Sequence, residues 1–278
     1  MPIPTLSRHL LPYCVTEPGS RKFRLDGIDP AAKPCSLGSK AKDRKAVDDL
    51  AVELDGLQNV FWADRRFKLL VVLQGVDTSG KDGTLRHVFG RMSPLGVRTT
   101  AWKSPSEPER AHDFLWRIHQ AVPACGEIVM FNRSHYEDVL VPVVNGSLEG
   151  AAVDGRLAQI NDFERLLCET GTVLLKFMLH ISRKEQGARL QDRLDDPDKN
   201  WKFDPADLQA RENWDTYQAA YERAIRATGT KHAPWIVVPA DSKTHRNLMI
   251  ATVLRDTLRS LDLRFPPLPK ELRGVKVK

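Results

Sequence analysis

The chain has 278 residues, 41% of them apolar and 28% charged, which provides material for a substantial core and excludes a disordered or fibrous protein. No eighteen apolar residues run together, and the opening MPIPTLSRHLLPYCV lacks the apolar core and cleavage site of a signal peptide, so no membrane partner and a cytoplasmic location are expected. The formal charge of +6 favours a polyanionic ligand, while Cys14, Cys35, Cys125 and Cys168, scattered and without a C-x-x-C pair, exclude a zinc ribbon or disulfide framework.

Residues 1–40, rich in Pro, Gly and Ser, carry no sustained period and read as an N-terminal extension that lies over the body or packs on a neighbour. Beyond them, residues 41–278 read as one α/β domain. Val47, Leu50, Leu54, Leu57 and Phe61, at alternating spacings of three and four, make one apolar helix face. The run KLLVVLQ at 68–74 is too short for a buried helix and suits a strand covered on both faces. Similar strand runs stand at 97–102, 127–131, 172–179 and 235–240, separated by helical stretches near 107–121, 156–170 and 243–260. This alternation predicts right-handed crossovers, a parallel sheet of about five strands and helices on both faces. Residues 183–230 read as a helical insertion between the fourth and fifth strands. Within it Trp214, Tyr217 and Tyr221, at i, i+3 and i+7, form either a stripe for the core or a subunit interface, or a base-stacking platform; the spacing favours the first.

Directly after the first strand comes GVDTSGKDGT, residues 75–84. Its spacing Gly75-x4-Gly80-Lys81, with Gly83 and Thr84 following, is that of a loop whose backbone N–H groups wrap phosphates while Lys81 reaches the outer ones. Asp82 stands where such loops carry the Ser or Thr that holds Mg²⁺. Asp77 at the loop tip is then the substitute metal ligand, or else it caps the loop through nearby N–H groups. Asp82 itself suits the first helical turn.

Asn132, Arg133 and Ser134 follow the third strand at the carboxyl edge of the sheet, where open α/β sheets bind ligands. Arg133 is either a clamp on the transferred phosphoryl group or a strand-end arginine paired with a carboxylate. After the fourth strand, Arg189 and Arg193 are four apart and share a helix face, which lines a phosphate groove as part of a lid or forms a solvated, salt-bridged surface. The eight histidines show no metal-ligand spacing.

The segments GVDTSGKDGT, MFNRSHYEDVLV, LHISRKEQ with RLDDPDKNWKF, and APWIVVPADSKTHRN resemble, in order and spacing, the family-2 polyphosphate kinases, over about residue 41 to the end. The form FNRSHYEDV resembles the one-domain subgroup that phosphorylates nucleoside mono- and diphosphates. The resemblance implies a P-loop kinase-like three-layer sandwich with a helical lid, Mg²⁺ (or Mn²⁺) as cofactor, inorganic polyphosphate and nucleotides as ligands, and a homo-oligomer, tetramer or dimer. It also implies that Asp77 holds metal and orients the acceptor phosphate, that Lys81, Arg133 and Ser134 contact phosphates, and that Arg183, Arg189 and Arg193 belong to the lid. Many relatives have Asp-Arg-Ser where this chain has Asn132-Arg133-Ser134, and an amide is a poorer Mg²⁺ ligand than a carboxylate; Glu137 is the nearby carboxylate that compensates.

The expected reaction is reversible transfer of the terminal phosphoryl group of polyphosphate to AMP, ADP or both. Positioning and charge neutralisation supply most of the acceleration, and no phosphohistidine is required. The alternatives are an ATP-dependent nucleoside monophosphate kinase of the thymidylate-kinase type, which the loop alone does not exclude, and a nucleic-acid binding module. Against the latter, no recognised motif and no aromatics interleaved with basic residues are present.

Overall fold

The computed structural model describes residues 4, 6–20 and 23–277. Six strands form one sheet: β1 (Cys14–Val15), β2 (Lys68–Gln74), β3 (Val97–Ala101), β4 (Ile128–Asn132), β5 (Thr172–His180) and β6 (Trp235–Pro239), in the order β1-β6-β5-β2-β4-β3. All neighbours run parallel except β1, which pairs antiparallel with β6 through Cys14 opposite Ile236 and Val15 opposite Trp235. The five longer strands are those the apolar runs mark out. The sixth was not legible, because two residues are too few to show a period. The stretch 1–40 therefore contributes an edge strand, and its Leu10, Val15 and Leu25 are buried in the two cores.

Alternate side chains of the central strand enter opposite layers. Leu69, Val71 and Leu73 pack with α1 (Lys40–Asp64) and α10 (Lys243–Ser260) on one face. Leu70 and Val72 pack on the other with α4 (Trp116–His119), α5 (Glu137–Val144), α6 (Gly150–Glu169) and α9 (Trp214–Thr228). Burial on both faces is why the strand is apolar at every position between its ends. Along α1, Val47, Leu50, Leu54 and Phe61 are buried and Leu57 packs against the same core. The chain turns into it at Ser39, whose hydroxyl accepts from the Lys42 N–H, and leaves it at Arg65 in the left-handed conformation (φ 58°).

Two stretches differ from the simple periodic reading. The segment near 107–121 is two separate turns, α3 (Glu107–Arg110) and α4, the first stopped one turn after its Ser106–Glu109 capping box. The helix after the phosphate loop is a single turn, α2 (Lys81–Thr84), that widens into a π-helical segment over Leu85–Phe89. The insertion after β5 divides into α7 (Arg183–Asp195), α8 (Pro205–Glu212) and α9. Trp214 and Tyr221 of α9 are buried in the cores and Tyr217 packs beside them, so this aromatic stripe is core.

The strand order places the site. From β2 the chain moves to one side for β3 and β4, then crosses to the other for β5 and β6. The crevice at the carboxyl end of β2 lies at this reversal.

Candidate active site

The phosphate loop leaves β2 at Gly75 and closes on α2. Thr78 adopts φ 63° and Gly80 φ 104°. A β-branched residue in the left-handed region is strained by about 1–3 kcal/mol, and Thr78 is held there by its carbonyl, which accepts from Arg189 Nη1 at 2.9 Å. Gly80 is required twice: by its φ, and because a Cβ would come within 1.7 Å of Arg246 Nη1. Lys81, 8% exposed, donates from Nζ to the carbonyls of Gly75 (2.7 Å) and Val76 (3.3 Å). Burial and the nearby Arg133 hold its pKa below the ordinary lysine value, against the opposing pull of Asp77, Glu137 and Asp82.

Register does the rest. Leu73 of β2 pairs with Asn132 of β4, and the Arg133 N–H donates to the Leu73 carbonyl at 3.0 Å, so the turn after β4 stands beside the phosphate loop. Arg133 is the second non-glycine residue of the site in the left-handed region (φ 64°), and its guanidinium bridges Asp77 Oδ1 (2.6 Å) and Glu137 Oε2 (3.4 Å). Burial opposes the Arg133 charge, yet the two carboxylates hold its pKa above the ordinary value. Glu137 is pushed up by burial, with Arg133 and Lys81 pulling the other way. Asn132 Nδ2 donates to Asp82 Oδ1 at 2.7 Å, which gives Asp82 a partner across the loop mouth.

The turn is fastened from below. The Gln74 carboxamide, turned so that its nitrogen meets Glu137 Oε1 (2.9 Å), accepts from the Ser134 hydroxyl (3.0 Å) and N–H (3.2 Å). His135 and Tyr136 enter the far core, where Glu164 Oε1 accepts from the Tyr136 hydroxyl at 2.8 Å and lies 3.3 Å from His135 Nε2. Lys176 Nζ closes the group, donating to Glu164 Oε2 (2.5 Å), Tyr136 Oη (3.0 Å) and the Thr228 carbonyl (2.8 Å).

A cleft of about 970 Å³ opens over the loop and brings Asp77, Gly80, Lys81, Gly83, Arg133, Glu137, Arg189 and Arg193 together. Its two walls differ. On the β3–β4 side stand Trp102, Val141 and Pro142 with Arg117, which pairs with Asp138 (3.1 Å) and lies over the Trp102 ring at 5.2 Å. On the β5–β6 side stand Arg189, Arg193, Lys199, Lys202, Lys243 and Arg246, against Asp192, Asp204 and Asp207. Arg193 Nη1 donates to Asp207 Oδ2 at 2.9 Å. Arg189, only 6% exposed, donates to four carbonyls, those of Thr78, Ser79, Ala240 and Asp241, and pairs with Glu185 at 2.7 Å. It therefore fastens α7 to the loop.

Four expected phosphate contacts fall outside this lining. Ser134 is fully buried and bonded to Gln74, Thr84 is buried beneath the loop, Gly75 turns its carbonyl to Lys81, and Arg183 is exposed at the start of α7. Conversely, Arg117, Lys243 and Arg246 went unread as site residues. The signal for Arg246 was its place in the first turn after a parallel strand, where residues reach the carboxyl-edge crevice.

Among the described residues no three His, Cys, Asp or Glu side chains converge as a metal cage. Asp77 and Glu137, held to one guanidinium, are nevertheless a donor set that suits Mg²⁺, which takes one or two carboxylates and completes its shell with water and phosphate oxygens.

The family model of polyphosphate kinase 2 (PPK2) matches residues 37–266. The chain belongs to the polyphosphate kinase 2 family. It is 46% identical over 245 residues to the AMP/ADP-polyphosphate phosphotransferase of Meiothermus ruber, covering 88% of this chain and 92% of that protein. Identity to the ADP-polyphosphate phosphotransferase of Rhodopseudomonas palustris is 39% over 225 residues, 77% of this chain and 78% of that protein. In structure it is similar to polyphosphate kinase 2 from Arthrobacter aurescens TC1, with a TM-score of 0.88 and 42% identity over 93% of this chain and 91% of that one. Membership of the polyphosphate kinase 2 family makes the protein a phosphotransferase of P-loop kinase-like fold, and an ATP-dependent nucleoside monophosphate kinase is not favoured. No helix among the described residues is long and apolar enough to cross a membrane.

Proposed function

We propose that this cleft transfers the terminal phosphoryl group of inorganic polyphosphate to AMP and ADP, and that the reverse transfer uses the same geometry. The observation that carries the reading is the asymmetry of the walls about the loop. The β5–β6 wall presents six basic side chains against three carboxylates, as a chain of closely spaced negative charges requires. The opposite wall joins the apolar surfaces of Trp102, Val141 and Pro142 to the guanidinium groups of Arg117 and Arg133, which suits a nucleotide with an aromatic base and a phosphate. Donor and acceptor thus meet over Lys81.

In this reading Lys81 neutralises charge on the transferred phosphoryl group and Arg133 bridges it to the acceptor phosphate. Asp77 and Glu137 hold Arg133 in its strained conformation and present the carboxylate oxygens that a Mg²⁺ ion would use. When bound, that ion neutralises phosphate charge and aligns the reacting oxygens. Arg193, Lys199 and Lys202 of the lid and Lys243 of α10 grip the polyphosphate. Trp102 and Pro142 exclude water from the acceptor end, which strengthens each of these interactions.

The test is purified protein with AMP, inorganic polyphosphate and Mg²⁺, the nucleotides being separated by chromatography. ADP followed by ATP is the expected product series. Product from AMP with ATP as donor, and none with polyphosphate, would overturn the assignment.

A further inference from the structure

Arg246 is the most sequestered cation of the cleft wall, with 2% of its surface exposed. It sits in the first turn of α10, beneath the loop, and the backbone at Gly80 and Gly83 passes directly over its guanidinium. Its Nη1 donates to the Ser79 carbonyl at 3.2 Å, and Nε and Nη2 share a single acceptor, Asn247 Oδ1, at 3.1 and 2.9 Å. Among the described residues no carboxylate stands within ion-pair distance of it, and the like charge of Arg189 acts on it. Burial and that repulsion push its pKa down to about 9.

A buried guanidinium without a counter-ion is destabilising, because the charge loses its hydration and gains no partner. Every other strongly buried basic side chain of the site has a carboxylate nearby: Arg189 has Glu185, Arg117 has Asp138, and Lys81 has Asp77, Glu137 and Asp82 acting on it. Glycine at 80 and 83 lets the loop backbone lie against the guanidinium, where a larger residue at 80 would strike it, and the side chain still borders the cleft. The feature is thus a cation with no carboxylate partner, on the same wall as the basic lid.

We propose that Arg246 is the floor of a phosphate seat on the donor side of the loop, and that the counter-ion it lacks is a phosphate group of the bound polyphosphate, further along the chain than the group over Lys81. The inference rests on the polyphosphate reading above. Lys243, one turn-edge before it on the same helix, lines the same wall and borders the seat.

The experiment follows thermal unfolding of the full chain as wild type, Arg246→Gln and Arg246→Lys, each without ligand, with inorganic tripolyphosphate and with ADP. For the seat, Arg246→Gln unfolds at the same or a higher temperature than wild type without ligand, since a bare buried charge has been removed. Its affinity for tripolyphosphate, read from the dependence of the midpoint on ligand concentration, falls by about ten- to a hundredfold. The ADP response is retained, and Arg246→Lys recovers part of the tripolyphosphate response. If Arg246 only fastened the loop, Arg246→Gln would lower the ligand-free midpoint and weaken ADP and tripolyphosphate alike, which overturns the seat. A wild type stabilised by tripolyphosphate and an equally responsive Arg246→Gln overturn the seat alone. A wild type indifferent to tripolyphosphate overturns the polyphosphate reading and the seat with it.

Discussion

Two cations are sequestered on opposite faces of the sheet, and they are treated in opposite ways. Lys176, fully buried in the far core, meets Glu164 at 2.5 Å, a tyrosine hydroxyl and a carbonyl, and stands over the rings of Tyr136 and Trp235 at 5.5 and 5.1 Å. Arg246, under the phosphate loop, has amide and carbonyl oxygens only. The first charge is complete within the chain and holds the structure; the second is incomplete and is finished by substrate. The same contrast separates the glutamates. Burial outweighs Arg133 at Glu137 and raises its pKa, whereas at Glu164 burial is outweighed by Lys176 and His135 and the pKa falls. Self-sufficiency marks the scaffold, and unmet demand marks the site.

The sharpest break between the two classes comes from Lys81 and Lys176. Lys81→Met keeps length and volume but removes the fixed charge over which transfer occurs; turnover with AMP and polyphosphate is expected to fall about a thousandfold or more. Its unfolding free energy in urea changes by no more than about 1.5 kcal/mol, because the lost bonds to two carbonyls and the relieved desolvation oppose each other. Lys176→Met should do the reverse. Removing one partner of a buried pair leaves Glu164 alone in the core at a cost of about 3–5 kcal/mol, read as a lower urea midpoint, and a Glu164→Gln, Lys176→Met double variant recovers most of it. Equal losses of stability from Lys81→Met and Lys176→Met would erase the distinction.

Periodicity and spacing could mark out the scaffold because apolar runs and glycines act over neighbouring residues. The five long strands, α1, α10 and the loop from Gly75 to Thr84 were legible for that reason, as was the meeting of Asp77, Lys81 and Arg133 at the carboxyl edge. Arg246 was not, since what singles it out is the absence of a carboxylate in three dimensions, which no spacing encodes. Ser134 and Arg183 lie outside the cleft lining, because the strand-end turn points Ser134 inward to Gln74 and the first turn of α7 leaves Arg183 exposed. The Asn132–Asp82 bond joins residues fifty apart and depends on the β2–β4 register.

Acid titration sharpens the glutamate contrast. Glu137, with its pKa raised above the unfolded value near 4.5, contributes stability that is present below that value and is lost as pH rises through the raised one. Glu164, with its pKa lowered, contributes stability present above about pH 4.5 and lost as pH falls through its folded value. Urea midpoints measured as a function of pH should therefore show Glu137→Gln gaining relative to wild type toward neutral pH, and Glu164→Gln losing most there and least in acid. Turnover of Glu137→Gln falls by roughly ten- to a hundredfold, since the carboxylate that orients Arg133 has become an amide. A Glu137→Gln variant with unchanged turnover removes Glu137 from the site.

The smallest expected effect tests the edge of the cleft. Arg183 and Arg193 lie on the same helix, but only Arg193 lines the cleft, positioned by the Lys202 carbonyl (3.0 Å) and Asp207 (2.9 Å). Arg183 lends the fold its backbone carbonyl, which accepts from Arg211 Nη1 at 2.6 Å and which substitution leaves in place. Arg183→Ala should accordingly change stability by less than about 0.5 kcal/mol and leave the KM for polyphosphate within about twofold. Arg193→Ala should raise that KM about tenfold, with a smaller change in turnover, because it removes a contact made equally in the ground and transition states. If the two substitutions raised KM alike, the exposed start of α7 would have to close over the polyphosphate during turnover, and the donor wall would extend nearly two helical turns beyond the residues that line it here.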